Sequence, residues 1–192
     1  VTWIEAFIEA RKLGGYFATV TSDGEQAFVS SLVTGADRAS WIGAYLDKDG
    51  VMKWITGEAF DYTNWDDGEP SGVIGSNSEM YLGIYANDTA TKYSTTGKWN
   101  DFANDSATPK AFVCEWNSND TDPDAFDFKG ELLYELTEDS KGYVVKGIGT
   151  AFSETLDIPA TYRGLPVTEI DKNAFKGFSH IEKIVFGENL TD

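Results

Sequence analysis

The segment WITGEAFDYTNWDDGEPS (residues 54–71) runs into a Gly/Ser/Asn-rich stretch up to Glu79, and GKWND (residues 97–101) follows. Glu69, Glu79 and Asp101 supply three carboxylates, and Ser71 and Asn100 supply two neutral oxygen side chains. They lie on three separate pieces of chain, so only a folded loop brings them to one point. Hard cations such as Ca²⁺ take about six to eight oxygen ligands of this kind. The 21 residues between Gly57 and Glu79 show little periodicity. Loops of that length inside a compact domain are usually functional.

On either side of this segment the pattern is that of short strands. Trp41–Leu46, Val51–Ile55, Glu79–Tyr85, Lys98–Asn100 and Ala111–Trp116 are aromatic and β-branched runs set off by Gly, Asp and Asn clusters. The turn Asp47-Lys48-Asp49-Gly50 predicts a hairpin between the first two. Farther upstream the period becomes helical. Trp3, Ala6, Phe7, Ala10 and Leu13 share one face of a first helix, stopped by Gly14-Gly15. Tyr16–Val20 alternates as a short strand. Ser22 and Glu25 then predict a capping box opening a second helix, with Phe28, Val29 and Leu32 as its apolar face.

All six tryptophans of the 192-residue chain lie at or before Trp116. A tryptophan-rich core therefore ends there, and a different core follows. The net charge of −17 is shared by both halves. Such acidity repels phosphate backbones and anionic lipid, so nucleic acid and membrane surfaces are poor partners. No run is long and apolar enough to predict a membrane-spanning helix. The chain begins at Val1 with no initiator Met, as a piece of a longer protein does.

Cys114 sits in the apolar run AFVCEW and reads as a small core hydrophobe. The one histidine, His180, lies far from it in sequence. A Cys/His or Ser/His hydrolytic set is therefore not expected.

The motifs of residues 1–116, taken in order, resemble the C-type lectin-like domain. They are WIEAFIEARKLGGYFATVTSDGEQAFVSSL, WIGA, W-x-TGE, YTNW, GEPS, GKWND and FVCEW. The resemblance implies an α+β fold, in which two helices flank two small antiparallel sheets and a long loop carries calcium. Its first strand would precede Val1. It also implies two disulfides that this chain lacks, one between the positions of Ala10 and Cys114 and one between those of Met80 and Asn104. In the chain-entropy model a bridge closing ~100 residues is worth up to about 4–5 kcal/mol, which packing must replace. Bridge-free relatives are common in bacteria, so a bacterial origin is expected.

The resemblance assigns Ca²⁺ ligands to Glu69, Ser71, Glu79, Asn100 and Asp101. Glycan contacts fall to Glu69, Ser71, Glu79 and Asn100, as the sugar's vicinal hydroxyls complete the ion's shell. Pro70 matches a proline whose preceding bond is cis. Ser71 stands where mannose-type relatives have Asn, a longer ligand that also bonds the sugar. A second calcium position is expected to be lost, because Gly72 and Met80 stand where acids are needed. Trp99 recurs in non-binding relatives and reads as structural. Tyr62, Trp65 and Tyr81 are candidate stacking rings, with Tyr81 assigned to the ligand and core packing preferred for Trp65. Asp66 and Asp67 read as solvated turn acids.

Residues 117–125 form a polar linker containing a proline. In residues 126–192, Phe128–Leu136 and Tyr143–Ile148 read as a hairpin. Leu156-Asp157-Ile158 and Ile184-Val185-Phe186 are strand-like units about 28 residues apart. Ile158-Pro159, Tyr162–Val167, Ile170 and Ala174-Phe175-Lys176-Gly177 resemble the BspA-like leucine-rich repeats of bacterial surface proteins. At least three stacked repeats are normally needed, so the parent chain is expected to continue past Asp192.

The expected function is a calcium-dependent carbohydrate-binding adhesion module, extracellular or on a bacterial surface. The alternative is a protein-binding module for a host or bacterial surface protein, with or without a structural calcium. Enzymatic activity is not expected, because Glu69 and Glu79 are both assigned to the ion.

Overall fold

The computed structural model describes residues 1–47, 49–72, 79–86, 96–116, 130–149, 151, 153–188 and 190. The chain divides into two compact units, Val1–Phe128 and Lys129–Asp192. The expected linker, residues 117–125, lies outside the described residues.

In the first unit α1 (Trp3–Lys12) opens on a reciprocal cap. Thr2 Oγ1 accepts the Glu5 N–H, and Glu5 Oε2 accepts the Thr2 N–H. The helix buries Trp3, Ile4, Ala6, Phe7 and Ala10. Leu13, expected on that face, caps the helix end and stays 55% exposed. β1 (Tyr16–Phe17) is shorter than the predicted strand. α2 (Asp23–Leu32) begins at Ser22, whose hydroxyl accepts the Glu25 N–H. The Glu25 carboxylate accepts chiefly the N–H and hydroxyl of Thr21, with Ser22 a lesser partner.

The face of α2 also differs from expectation. Gln26 and Val29 are its buried residues, while Phe28 and Leu32 are 64% and 54% exposed. Helical spacing puts residues 26, 29 and 33 on one side and residues 28 and 32 on another. The hydrogen bonds of Gln26 described below fix which side turns inward.

Beyond α2, β2 (Ala39–Leu46), β3 (Met52–Trp54), β4 (Glu79–Tyr85) and β5 (Trp99–Ala103) form an antiparallel sheet in the order β3-β2-β4-β5. β6 (Pro109–Phe112) adds in parallel to β2, and β7 (Cys114–Glu115) pairs antiparallel with β1. The predicted strand 111–116 is thus shared between two sheets. It divides at Val113, which donates to Trp41 O and accepts from Ala18 N–H. The expected β2–β3 hairpin forms. Asp47 accepts the N–H groups of Asp49 and Val51 and pairs with Lys53 at 2.6 Å; Lys48 lies outside the described residues.

The core combines Val20, Val29, Ile42, Trp54, Leu82, Ile84 and Trp99. Around α1, Trp3, Phe7 and Phe17 pack with ring centroids 5.2–5.4 Å apart. At the two positions where bridges were implied, other contacts hold the chain. Cys114 Sγ lies 4.0 Å from Ala10 O, so those positions are neighbours. Asn104 accepts the Ile4 N–H through its side chain and the Trp3 N–H through its carbonyl, tying β5's exit to the start of α1. Cys114 is partly exposed rather than fully in the core.

The second unit contains β8 (Leu133–Leu136), β9 (Tyr143–Gly147), β10 (Thr155–Ile158), β11 (Thr161–Tyr162), β12 (Leu165–Ile170) and β13 (Lys183–Phe186). β8 and β9 form the expected hairpin, and β12 lies parallel to β9. β10 and β13 pair in parallel and in register, Thr155 opposite Lys183 through Ile158 opposite Phe186. Leu156 and Ile158 are buried, whereas Phe186 is 57% exposed.

Candidate ligand-binding loop

Three backbone devices bring the predicted oxygens together. The Glu69–Pro70 bond is cis. The register of β4 on β5 sets Gly83 opposite Asn100 and Leu82 opposite Asp101. Asp101, 2% exposed, then fixes the segment after Pro70: its carboxylate accepts the N–H of Ser71 at 3.1 Å and of Gly72 at 2.7 Å. Gly72 is required here, since a Cβ would meet Glu79 O at 2.3 Å and Asp101 Oδ2 at 2.6 Å. Ser71 Oγ donates to Glu79 Oε2 at 3.3 Å. Ser71, Glu79 and Asp101 are therefore joined directly, Glu69 interacts with all three, and Asn100 stands beside Asp101 on β5.

Two of the gathered oxygens have no hydrogen-bond partner. Glu69 Oε2 and Asn100 Oδ1 are both sealed from solvent and unbonded. Buried polar groups are normally paired, and an unpaired one costs stability. Burial pushes the Glu69 carboxyl above its usual range; the Ser71 hydroxyl works the other way, and Asp101 and Glu79 add to the rise. The site holds more negative charge than its own donors balance, which is the condition a hard cation relieves. Among the described residues, no three or more His, Cys, Asp or Glu groups stand as a ready-made metal cluster.

Tyr81 does not belong to this site. It is 3% exposed, its ring packs 4.9 Å from Trp3, and burial drives its phenol far above the usual range. β4 is buried on both faces from Met80 to Ile84, so Tyr81 offers no face to a sugar. Tyr62 packs edge-on to Trp99 and donates to Asp23 at 3.0 Å, and Trp65 packs edge-on to Trp99 as well. The tyrosine that does sit here is Tyr85. Burial raises its phenol, with Asp66 and Glu69 adding to the rise and the Asn100 side chain bonding it in the opposite sense. Sequence reading passed over Tyr85. Its signal is cross-strand: Gly83 faces Asn100, and Tyr85 lies two residues on along the same face.

Trp99, fully buried, anchors the ligand strand. Its N–H donates to Asn64 O and its carbonyl accepts from Asp66 N–H, so the long loop is pinned on both sides of the indole. The indole Nε1 donates to Gln26 Oε1 at 2.8 Å.

Two helices, a small sheet pinned to a long loop and a cluster of loop oxygens define an α+β loop-presenting domain. The chain belongs to the C-type lectin family: residues 1–116 match the Lectin C-type domain. Lectin BRA-3 of Megabalanus rosa is 32% identical over 104 residues, 53% of this chain and 57% of that protein. The galactose-specific lectin nattectin of Thalassophryne nattereri is 32% identical over 72 residues, 35% of this chain and 45% of that protein. The chain thus spans about half the length of these relatives. The human scavenger receptor C-type lectin carbohydrate-recognition domain shares the fold at 22% identity and a TM-score of 0.50, over 61% of this chain and 84% of that domain.

Proposed function

We propose that the first unit is a calcium-dependent carbohydrate-binding module of a secreted or cell-surface adhesion protein, bacterial in origin. The observation that carries this reading is the pair of sealed, unbonded oxygens on Glu69 and Asn100. Glu69, Glu79, Asn100 and Asp101 would hold Ca²⁺, with Ser71 as a fifth and shorter ligand. The bound ion supplies positive charge and open coordination positions for two vicinal hydroxyls. Glu69 and Glu79 accept hydrogen bonds from those hydroxyls, and the Asn100 amide donates to one of them. Two relatives being lectins by name supports the sugar as ligand. With both acids assigned to the ion, the module binds and does not catalyse.

The second unit supports adhesion in the same reading. What supports this is the parallel, in-register pairing of β10 with β13, as successive turns of a repeat stack would pair. We infer that this unit is the beginning of a BspA-like repeat array.

A second reading has an observation of its own. Both Asp101 oxygens are taken by loop N–H groups, and Ser71 already bonds Glu79. A loop held this way stands without an ion and can present a surface to a protein partner. A glycan array run with calcium and with chelator separates the two. Calcium-dependent retention of at least one glycan class supports the lectin reading, and its absence, with protein-partner binding intact in Glu69→Ala, supports the other.

A further inference from the structure

We propose that Gln26, on α2, is a positioning residue for the ligand strand, aligning Asn100 and Asp101 with the loop opposite. Gln26 is 8% exposed and buried in a largely apolar interior. Its Nε2 donates to Gly97 O and to Ser30 Oγ, both at 2.7 Å, and its Oε1 accepts the Trp99 indole at 2.8 Å. A buried carboxamide is unfavourable unless its donors and acceptor are met, and here two of the three partners, Gly97 O and the Trp99 indole, flank Lys98 at the entry to β5. An apolar side chain would fill the same volume without any such demand.

Gly97 is itself a pivot. It is left-handed at φ 78° and packs so closely on α2 that a Cβ would meet Ser30 Oγ at 2.6 Å. Its carbonyl also accepts from Asn64 Nδ2 at 2.8 Å, so helix and long loop meet on one atom. From this pivot the chain passes directly through Trp99 to Asn100 and Asp101. Asp101 in turn latches the N–H groups of Ser71 and Gly72. Gln26 therefore acts on the site through Trp99 and Gly97 and touches no ligand.

That Asn100 and Asp101 are ion ligands rests on the proposed function; their alignment with the loop does not. The test is accordingly run on the full chain without calcium, by hydrogen exchange of individual amides. Ser71 and Gly72 report the Asp101 latch, and Gly43, which donates to Ala18 O at 2.8 Å, reports the core. In Gln26→Leu the Ser71 and Gly72 amides should exchange roughly tenfold faster or more, with Gly43 unchanged. Ser30→Ala, which keeps the bonds to Trp99 and Gly97, should leave all three at wild-type rates. If Gln26→Leu fails to fold, Gln26→Glu keeps the acceptor for Trp99, loses the donors to Gly97, and is read on the same amides. Unchanged Ser71 and Gly72 rates, or acceleration of all three amides by one factor, overturns the proposal. A wild-type chain that takes up no calcium would sink the calcium reading and leave this result standing.

Discussion

Asp101 Oδ2 accepts the backbone N–H of Gly72 at 2.7 Å, across 29 residues of chain. That bond and its companion to Ser71 shape the site before any ligand arrives. Asp101→Asn replaces one acceptor by an NH₂ that must face a backbone N–H. It is expected to lower stability by about 1–3 kcal/mol, measured by urea denaturation without calcium. Gly72→Ala should also destabilise the loop, because its Cβ would collide with Glu79 O, a backbone atom that cannot swing away.

Tyr81 gives a negative prediction. Its ring belongs to the Trp3 cluster, so Tyr81→Phe should leave any glycan or calcium affinity unchanged. A titration of the variant beside wild type checks this. A several-fold loss of affinity would return Tyr81 to the site.

Glu69 predicts opposite pH responses with and without ion. Burial, followed by its acidic neighbours, raises its folded-state carboxyl above 4.5. A raised acid contributes stability that is full below the unfolded value and is lost as pH rises through the folded one. Calcium-free protein should therefore gain stability as pH falls toward about 4.5. Calcium affinity should weaken over the same interval, because a ligand carboxylate must be deprotonated to bind. Glu69→Gln should flatten the calcium-free response, read from melting temperatures across that range.

Much of the first unit was legible because its signals are local. The helices and the β2–β3 hairpin follow from period and turn chemistry, and motif order singles out the loop oxygens of Ser71, Glu79 and Asp101 that the structure brings into contact. What was illegible depends on contacts distant in sequence. Phe28 and Leu32 look like the inner face of α2 until Gln26 is seen bonding Trp99, 73 residues away. Tyr81 looks available until its ring is seen packed on Trp3, 78 residues upstream, in a strand buried on both faces. The Asn104 clamp stands where a bridge was implied and, like the Thr2–Glu5 cap, is made by polar side chains that carry little pattern of their own. Tyr85 enters only through cross-strand register.

In the second unit, Ile158 is buried on β10 and its register partner Phe186 is 57% exposed. Ile158→Ala should lower that unit's stability by about 2–4 kcal/mol, while Phe186→Ser should change it by less than about 0.5 kcal/mol. Hydrogen exchange at the Val167 amide, which donates to Ala160 O, measures both.

Thermal denaturation across a calcium titration reads directly whether Glu69, Ser71, Glu79, Asn100 and Asp101 form a calcium site. A ligand selective for the native state stabilises it by about 2.7 kcal/mol at a hundred times its Kd. The melting temperature should therefore rise with millimolar calcium in the wild type, and the rise should vanish in Glu79→Ala. A wild-type melt unchanged at millimolar calcium would rule the site out.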